Sequence, residues 1–343
     1  MPDETLPATG FVRSRRLGDV SLDAVARALA RHELGELIEA LPAPGGLFGQ
    51  NLFVHATSGW HVLRGAPHFP WQFAKERHAV DVLHHRVHAP VPWPYRVDPS
   101  PDLFGWPFAW MPRLPGAHPF EAASTPSELK EIARAIGANL AALHAPTWPA
   151  AGEYVPEEDR VVAFPGGAGA WLARDIERWL AAAAMRPEAT PPGDGDWVRR
   201  IVDTACPHLD PPGGASFTMN DYNPGNLLVE RVDAGWRVSG VFDFMEFHVG
   251  DPDLDLVRMA VAMCDRFPDL GPKMVGEFVG AYRAERPAGP ALRDRMACHI
   301  VRDRLIVWEY GTRPGVGWFD GQGTLRRYAE TWLERLMPLL GTS

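Results

Sequence analysis

The stretch Met219-Asn220-Asp221-Tyr222-Asn223-Pro224-Gly225-Asn226-Leu227-Leu228-Val229-Glu230, followed by Trp236-Arg237-Val238-Ser239-Gly240-Val241-Phe242-Asp243-Phe244, decides how this chain is read. Val229 and Val238 lie in two alternating runs joined by a short turn at Asp233-Ala234-Gly235, the pattern of an antiparallel hairpin. Pairing about a centre near Asp233 sets Asn226 opposite Phe242. Asn226 and Asp243 then sit side by side at the open end of the hairpin, with Asp221 on the loop just before it. Two carboxylates and an amide converging there form a hard-oxygen site suited to Mg²⁺, which keeps several waters and takes one or two protein carboxylates plus substrate phosphates. The composition from Asp221 to Gly225 also fits an ordinary Asx-type turn.

Upstream of this segment, residues 21 to about 41 read as an amphipathic helix, with Leu22, Val25, Leu29, Leu34 and Leu37 at helical spacing behind a Ser cap. A glycine-rich turn at 45–51 then leads into a hairpin of strands 52–57 and 60–64. A helix over 71–88 carries Phe73, Val80, Leu83 and Val87 on one stripe, and Glu76 on the same stripe. A carboxylate there is expensive to bury unpaired, so a cation is its natural partner. Arg64, at the end of the second strand, can supply that cation. A strand cation held by a helix carboxylate is how protein kinases present charge to the α/β-phosphates. The alternative is a surface arginine and a glutamate that happens to face inward.

Short extended pieces at 91–96 and 106–111 precede a Pro/Gly-rich connector at 112–118. The boundary falls there, giving an N-terminal lobe over 1–112 and a C-terminal lobe over 113–343. Thr125-Pro126-Ser127-Glu128 is a capping box with Pro at the first helical position, which predicts a helix over 126–144. Further helices are expected at about 171–185, 196–209, 253–264, 273–286, 291–310 and 324–339, around an extended block at 216–244.

These parts, in this order, resemble the aminoglycoside phosphotransferase family within the protein-kinase-like fold. The family's catalytic loop H-G-D-x-x-x-x-N is carried by Met219-Asn220-Asp221 through Asn226, and its metal aspartate by Val241-Phe242-Asp243-Phe244. Its G-D-P-x-x-D-L element stands as Gly250-Asp251-Pro252-Asp253-Leu254-Asp255-Leu256. The helix end Leu143-His144 and the hinge Trp110-Met111-Pro112-Arg113-Leu114-Pro115-Gly116 also look like the family's. The fold implied is α+β and bilobal, with a small N-lobe of antiparallel sheet and one main helix, and a larger helical C-lobe holding the catalytic hairpin.

By that resemblance Asp221 orients the acceptor hydroxyl or accepts its proton, and Asn226 and Asp243 hold Mg²⁺. Arg64 contacts the α/β-phosphates of ATP or GTP, and Glu76 orients Arg64. The segment Met111, Pro112 and Leu114 binds the base edge through its backbone, while Asp251 is structural and braces the catalytic loop. Two positions depart from the pattern: Met219 replaces the loop histidine, with loop rigidity the expected loss, and Arg64 replaces the usual lysine. Arginine keeps the charge but is forked and bulkier.

Charge and composition bound the partners. With 34 Lys+Arg against 43 Asp+Glu and a net charge of -9, the chain lacks the clustered positive charge that nucleic acid or an anionic membrane needs. Lys75, Lys130 and Lys273 are the only lysines, and none ends the strand that Arg64 ends. Three widely spaced cysteines support neither a disulfide framework nor a zinc knuckle. No apolar run approaches the ~18 residues of a membrane span, so a cytoplasmic protein is expected, as a monomer or homodimer.

The reaction implied is γ-phosphoryl transfer to a hydroxyl of a small molecule, foremost an aminoglycoside-type antibiotic. The alternatives are a metabolic kinase acting on a sugar, choline or homoserine, and a pseudokinase or binding module. If the acceptor is cationic, carboxylates should line the C-lobe. Glu309, Tyr310, Trp318 and Asp320, in a glycine-rich aromatic and acidic loop, are acceptor candidates, and aromatic capping of the helical core is the alternative reading of that loop.

Overall fold

The computed structural model of the chain describes residues 11–13, 17–43, 50–210, 214–319, 321 and 323–341. The glycine-rich turn at 45–49 and the candidate Asp320 lie outside them. The chain divides into two compact units, Met1–Pro115 and Gly116–Ser343.

In the first unit a short ribbon, β1 (Phe11–Arg13) and β2 (Asp19–Ser21), leads into helix α1 (Leu22–Arg31). The Ser21 hydroxyl caps α1 by accepting the Ala24 N–H, and Val25, Ala28 and Leu29 are buried. The helix stops at Arg31 rather than near Leu41. Glu33 is left-handed at φ 56°, and Gly35 turns the chain at φ 86° with its Cα so close that a Cβ would lie 2.2 Å from Thr57 Oγ1. The segment expected to continue the helix is instead strand β3 (Leu37–Pro42).

It joins β4 (Gln50–Ala56), β5 (Gly59–Gly65), β6 (Arg96–Asp98) and β7 (Phe108–Pro112) in an antiparallel sheet of order β3-β4-β5-β7-β6. Val25 and Leu29 pack on Leu52, Val54, Leu63, Phe108 and Trp110 to form the core of this unit. Helix α2 (Gln72–Val87) buries Phe73, Glu76, Val80 and Leu83 of the stripe that its spacing predicts, while Val87, in its last turn, is half-buried.

The second unit opens with a short helix α3 (Pro119–Ala122) and then α4 (Pro126–Leu143), whose capping box between Thr125 and Glu128 is formed as expected. Three short strands follow, β8 (Thr147–Trp148), β9 (Gly152–Val155) and β10 (Arg160–Ala163), between the helices expected at 126–144 and 171–185, where no strand is expected from the sequence. At two to four residues they are too brief to show a period. Helices α5 (Gly167–Ala183) and α6 (Pro192–Ala205) come next. Strands β11 (Ala215–Thr218), β12 (Leu227–Val232), β13 (Gly235–Val241) and β14 (His248–Gly250) precede the last helices α7 (Asp255–Arg266), α8 (Gly271–Glu285), α9 (Leu292–Gly311) and α10 (Leu325–Leu336).

A second five-stranded antiparallel sheet has the order β10-β9-β14-β11-β8, while β12 and β13 form a separate hairpin. Leu172, Ile176, Val198, Val301, Leu305 and Trp308, from α5, α6 and α9, share one core. Helix α4 runs against α8 at Gly137, where a Cβ would stand 2.0 Å from the Phe278 carbonyl. Among the described residues no helix is long and apolar enough to cross a membrane.

Candidate active site

The hairpin has the register that pairing about Asp233 requires. Leu227 faces Val241, Val229 faces Val238 after a bulge at Leu228, and the Phe242 N–H donates to the Asn226 carbonyl at 3.2 Å. Asp243 follows in left-handed backbone, at φ 69°. At the same end of the hairpin, the Asn226 amide Nδ2 donates to Asp221 Oδ2 at 2.9 Å and to the Asp221 carbonyl at 3.0 Å. Asp221, Asn226 and Asp243 thus belong to one electrostatic group: burial raises the Asp221 pKa, the Arg258 charge opposes this, and Asp243 adds to the rise. The Asx turn is also present, since Asn223 Oδ1 accepts the Gly225 N–H at 2.8 Å while its Nδ2 donates to Asp221 Oδ1 at 2.9 Å. Turn and site are the same structure.

What holds the loop is Asp255, at the start of α7. Its carboxylate accepts the N–H groups of Met219 at 2.6 Å and Asn220 at 2.7 Å. It also receives His144 Nε2 at 3.1 Å, and the Tyr282 hydroxyl lies 3.0 Å from His144 Nδ1. Charge-assisted bonds to backbone N–H groups are about twice as strong as neutral ones. This corrects the assignment of the brace to Asp251. That carboxylate accepts the Asp253 N–H at 3.1 Å, Arg295 Nη1 at 2.5 Å and His299 Nε2 at 2.9 Å, so it ties α9 to the turn before α7.

Met219, where the resemblance has a histidine, is fully buried. Its backbone N–H is what anchors the loop, and any residue but proline supplies that. The loop therefore keeps its anchor without the histidine. A second anchor was missed by sequence reasoning: the buried Tyr222 hydroxyl donates to the Ile136 carbonyl at 3.0 Å and lies 3.0 Å from Asn139 Oδ1 on α4.

In the first unit Arg64 and Glu76 do meet, with Nη2 2.9 Å from Oε1. Glu76 is 2% exposed, and its carboxylate also accepts Gln72 Nε2 at 2.9 Å and the Tyr95 hydroxyl at 2.7 Å. Three donors offset the desolvation of that charge. Gln72 was legible as the residue one helical turn before Glu76. Tyr95, in the segment between α2 and β6, had no local signal. Met111 pairs with Val62 and Pro112 with His61 at the end of β7. The next N–H, that of Arg113, still pairs with Trp60 O at 3.1 Å, and the half-buried Leu114 follows.

The acceptor candidates separate. Glu309 is buried, its Oε1 3.0 Å from Arg186 Nη2 and its Oε2 2.7 Å from Arg313 Nη2. The arginines hold its pKa below the usual range against the effect of burial. Trp318 is 54% exposed and packs at 5.3 Å between ring centroids against Tyr310.

The donor set fits Mg²⁺. Because the Asn226 Nδ2 faces Asp221, the side-chain Oδ1 of Asn226 is the atom left for a cation, and Asp243 supplies a carboxylate. Among the described residues there is no group of three or more His, Cys, Asp or Glu that could hold a metal ion, so a cation here would depend on the Asn226 amide oxygen as well as Asp243. Cys206, Cys264 and Cys298 are free thiols.

The fold and this loop define a kinase-like phosphotransferase. Residues 39–296 match the sequence pattern of the phosphotransferase enzyme family, and the chain belongs to that family. No curated protein sequence matches it significantly. Solved structures share its fold. A macrolide 2′-phosphotransferase from Brachybacterium faecium is 21% identical at a TM-score of 0.57, covering 92% of this chain and 98% of its own. A proposed fructosamine-3-kinase from Thermobifida fusca is 21% identical at a TM-score of 0.60, covering 90% and 98%. An aminoglycoside phosphotransferase with AMP-PNP and hygromycin B is 15% identical at a TM-score of 0.59, covering 91% and 98%.

Proposed function

We propose that this protein transfers the γ-phosphoryl group of ATP or GTP to a hydroxyl of a small molecule. The observation that carries the reading is the contact of Asn226 Nδ2 with Asp221 Oδ2 at 2.9 Å, beside Asp243. It couples a hydrogen-bonded carboxylate, placed to orient an acceptor hydroxyl, to an amide oxygen and a second carboxylate suited to a cation. Phosphoryl transfer asks for positioning and charge neutralisation more than for covalent chemistry.

In this reading Asp221 orients the acceptor hydroxyl and takes its proton late in the transfer. Asn226 and Asp243 hold Mg²⁺, which when bound neutralises charge on the β- and γ-phosphates. Arg64, fixed by Glu76, faces the α/β-phosphates, and the backbone from Met111 to Leu114 takes the base edge. The presence of Asp221, Asn226 and Asp243 together favours catalysis over a binding role.

An aminoglycoside-type antibiotic is the first acceptor class, by likeness to the hygromycin-bound structure. A polycation needs unpaired carboxylates, however. Asp303 and Glu309, on α9, and Asp175, on α5, each pair with an arginine at 2.7–3.0 Å. That favours a second class, less charged hydroxylated compounds such as sugars or macrolides. The test is transfer of labelled phosphate from ATP and GTP to a panel spanning aminoglycosides, hygromycins, macrolides, nucleoside antibiotics, sugars, choline and homoserine. Failure of any acceptor to gain label, with no nucleotide- and magnesium-dependent thermal stabilisation, would reject the reading.

A further inference from the structure

One cation faces the proposed base directly. Arg258, on α7, lies one helical turn beyond Asp255, so the residue that anchors the loop backbone and the residue that reaches its carboxylate share one face of a helix. Arg258 Nη1 stands 2.5 Å from Asp221 Oδ1, and its Nε donates to Asp303 Oδ1 at 3.0 Å. The other oxygen of Asp303 receives Arg304 Nε at 3.0 Å, and Arg304 Nη1 is 3.0 Å from the Tyr328 hydroxyl. A chain of alternating charges therefore runs from the buried face of α9 to Asp221.

Its geometry restricts Asp221. A guanidinium is planar and forked, so Arg258 cannot rotate toward one carboxylate without leaving the other. Asp303 is buried, and it fixes the inner edge of the plane. On the outer edge, Asp221 Oδ1 is shared by Arg258 and Asn223, while Oδ2 takes Asn226. With donors on both oxygens, one carboxylate rotamer satisfies all of them. A pair whose purpose was stability alone could be replaced by apolar residues without loss, and nothing in that purpose would place it on this carboxylate.

We propose that Arg258 is a positioning residue for phosphoryl transfer: anchored by Asp303, it holds the Asp221 carboxylate toward the acceptor hydroxyl and in register with Asn226. The inference rests on the role given to Asp221 above.

The test compares the full-length wild type with Arg258→Lys, Arg258→Ala and Arg258→Met. Phosphate release from Mg·ATP with water as acceptor, and transfer to whichever panel compound the wild type labels, give kcat and KM. Calorimetry with Mg·AMP-PNP gives nucleotide affinity without turnover. Arg258→Met should lose about 10- to 100-fold in kcat, as expected for a misplaced catalytic group, while nucleotide affinity and KM for Mg·ATP stay within about threefold. Arg258→Lys, which keeps the charge and the fold, should recover part of kcat. Added methylguanidine should restore turnover of Arg258→Ala in a saturable way, which a merely structural role would not show.

Wild-type kcat in both Arg258→Lys and Arg258→Met would overturn the proposal. So would a loss of kcat matched by loss of nucleotide affinity and unrescued by methylguanidine. A wild type that binds Mg·AMP-PNP but neither releases nor transfers phosphate would overturn the phosphotransfer reading and this role with it. That failure is visible in the wild type, before any variant is measured.

Discussion

The Asp255 carboxylate lies 2.6 Å from the backbone nitrogen of Met219, with the Asn220 nitrogen at 2.7 Å on its other oxygen. The same carboxylate receives the fully buried His144, so one side chain ties the start of the Asp221 loop to both α4 and α7.

That relationship separates the backbone of the loop from its side chains. Asp255→Asn replaces one acceptor oxygen with an NH₂ that meets a backbone N–H head-on. The expected cost is about 3–5 kcal/mol, typical of removing one partner from a buried ionic group, read as a lowered urea midpoint and a lost transfer rate. Met219→Leu, by contrast, keeps both the N–H and the volume, and should cost under about 1.5 kcal/mol with activity within a fewfold. A large loss of transfer rate in a well-folded Met219→Leu would show that the methionine side chain itself matters.

Glu76 gives a prediction in the first unit. Removing its carboxylate leaves Gln72, Tyr95 and Arg64 without their shared acceptor. Glu76→Ala should weaken Mg·ATP binding by at least about tenfold, an energy near 1.4 kcal/mol. Tyr95→Phe removes one of the three donors to Glu76 and leaves its pair with Arg64 in place, so it should weaken Mg·ATP binding less than Glu76→Ala does. Calorimetry on both variants checks the order, and equal affinities in Glu76→Ala and wild type would remove Arg64 from nucleotide binding.

What was legible in the sequence follows from the range of each interaction. The hairpin register, the capping box at Thr125 and the inward Glu76 depend on neighbours within a few residues, and periodicity exposes them. The true end of α1 escaped because Leu34 and Leu37 continue a helical spacing. The left-handed Glu33 and the close approach of Gly35 to Thr57 override it from a distance. That Asp255 rather than Asp251 braces the loop is hidden for a similar reason: both belong to one short motif, and only the fold decides which carboxylate faces the loop. Tyr95, Tyr222 and the Asp303 to Arg258 contact all join residues far apart in the chain. Arg258 and Gln72 had a local clue, their one-turn spacing from Asp255 and from Glu76.

Magnesium dependence tests the hairpin end. Asp243→Asn keeps the shape and the hard oxygen but removes one negative charge beside Asp221. The expected result is a raised magnesium concentration for half-maximal transfer, with KM for the nucleotide less affected at saturating metal. Asp221→Ala should behave differently, abolishing transfer while leaving Mg·ATP binding largely intact. Near-normal turnover in Asp221→Ala would remove that residue from the chemistry.

The acid limit of stability has a contributor that can be isolated. Burial pushes the Asp303 carboxylate up, but Arg304 and Arg258 outweigh it and bring its pKa from 3.8 to about 2. A folded-state pKa below the unfolded one means that the unfolded chain binds the proton first as the pH falls. The stability contributed is therefore fully present above about pH 4 and lost on the way down to about pH 2, and it amounts to about 2 kcal/mol. Asp303→Asn removes that titration and the carboxylate that Arg258 and Arg304 share, leaving Arg258 paired with Asp221 alone, so at pH 7 it should be clearly less stable than the wild type. The gap between the two proteins, measured by urea unfolding from pH 5 downward, should narrow by about 2 kcal/mol as pH 2 is approached. A gap that stays constant over that range would mean that Asp303 does not hold a depressed pKa, and that the charge chain from Arg304 to Arg258 is not formed in solution.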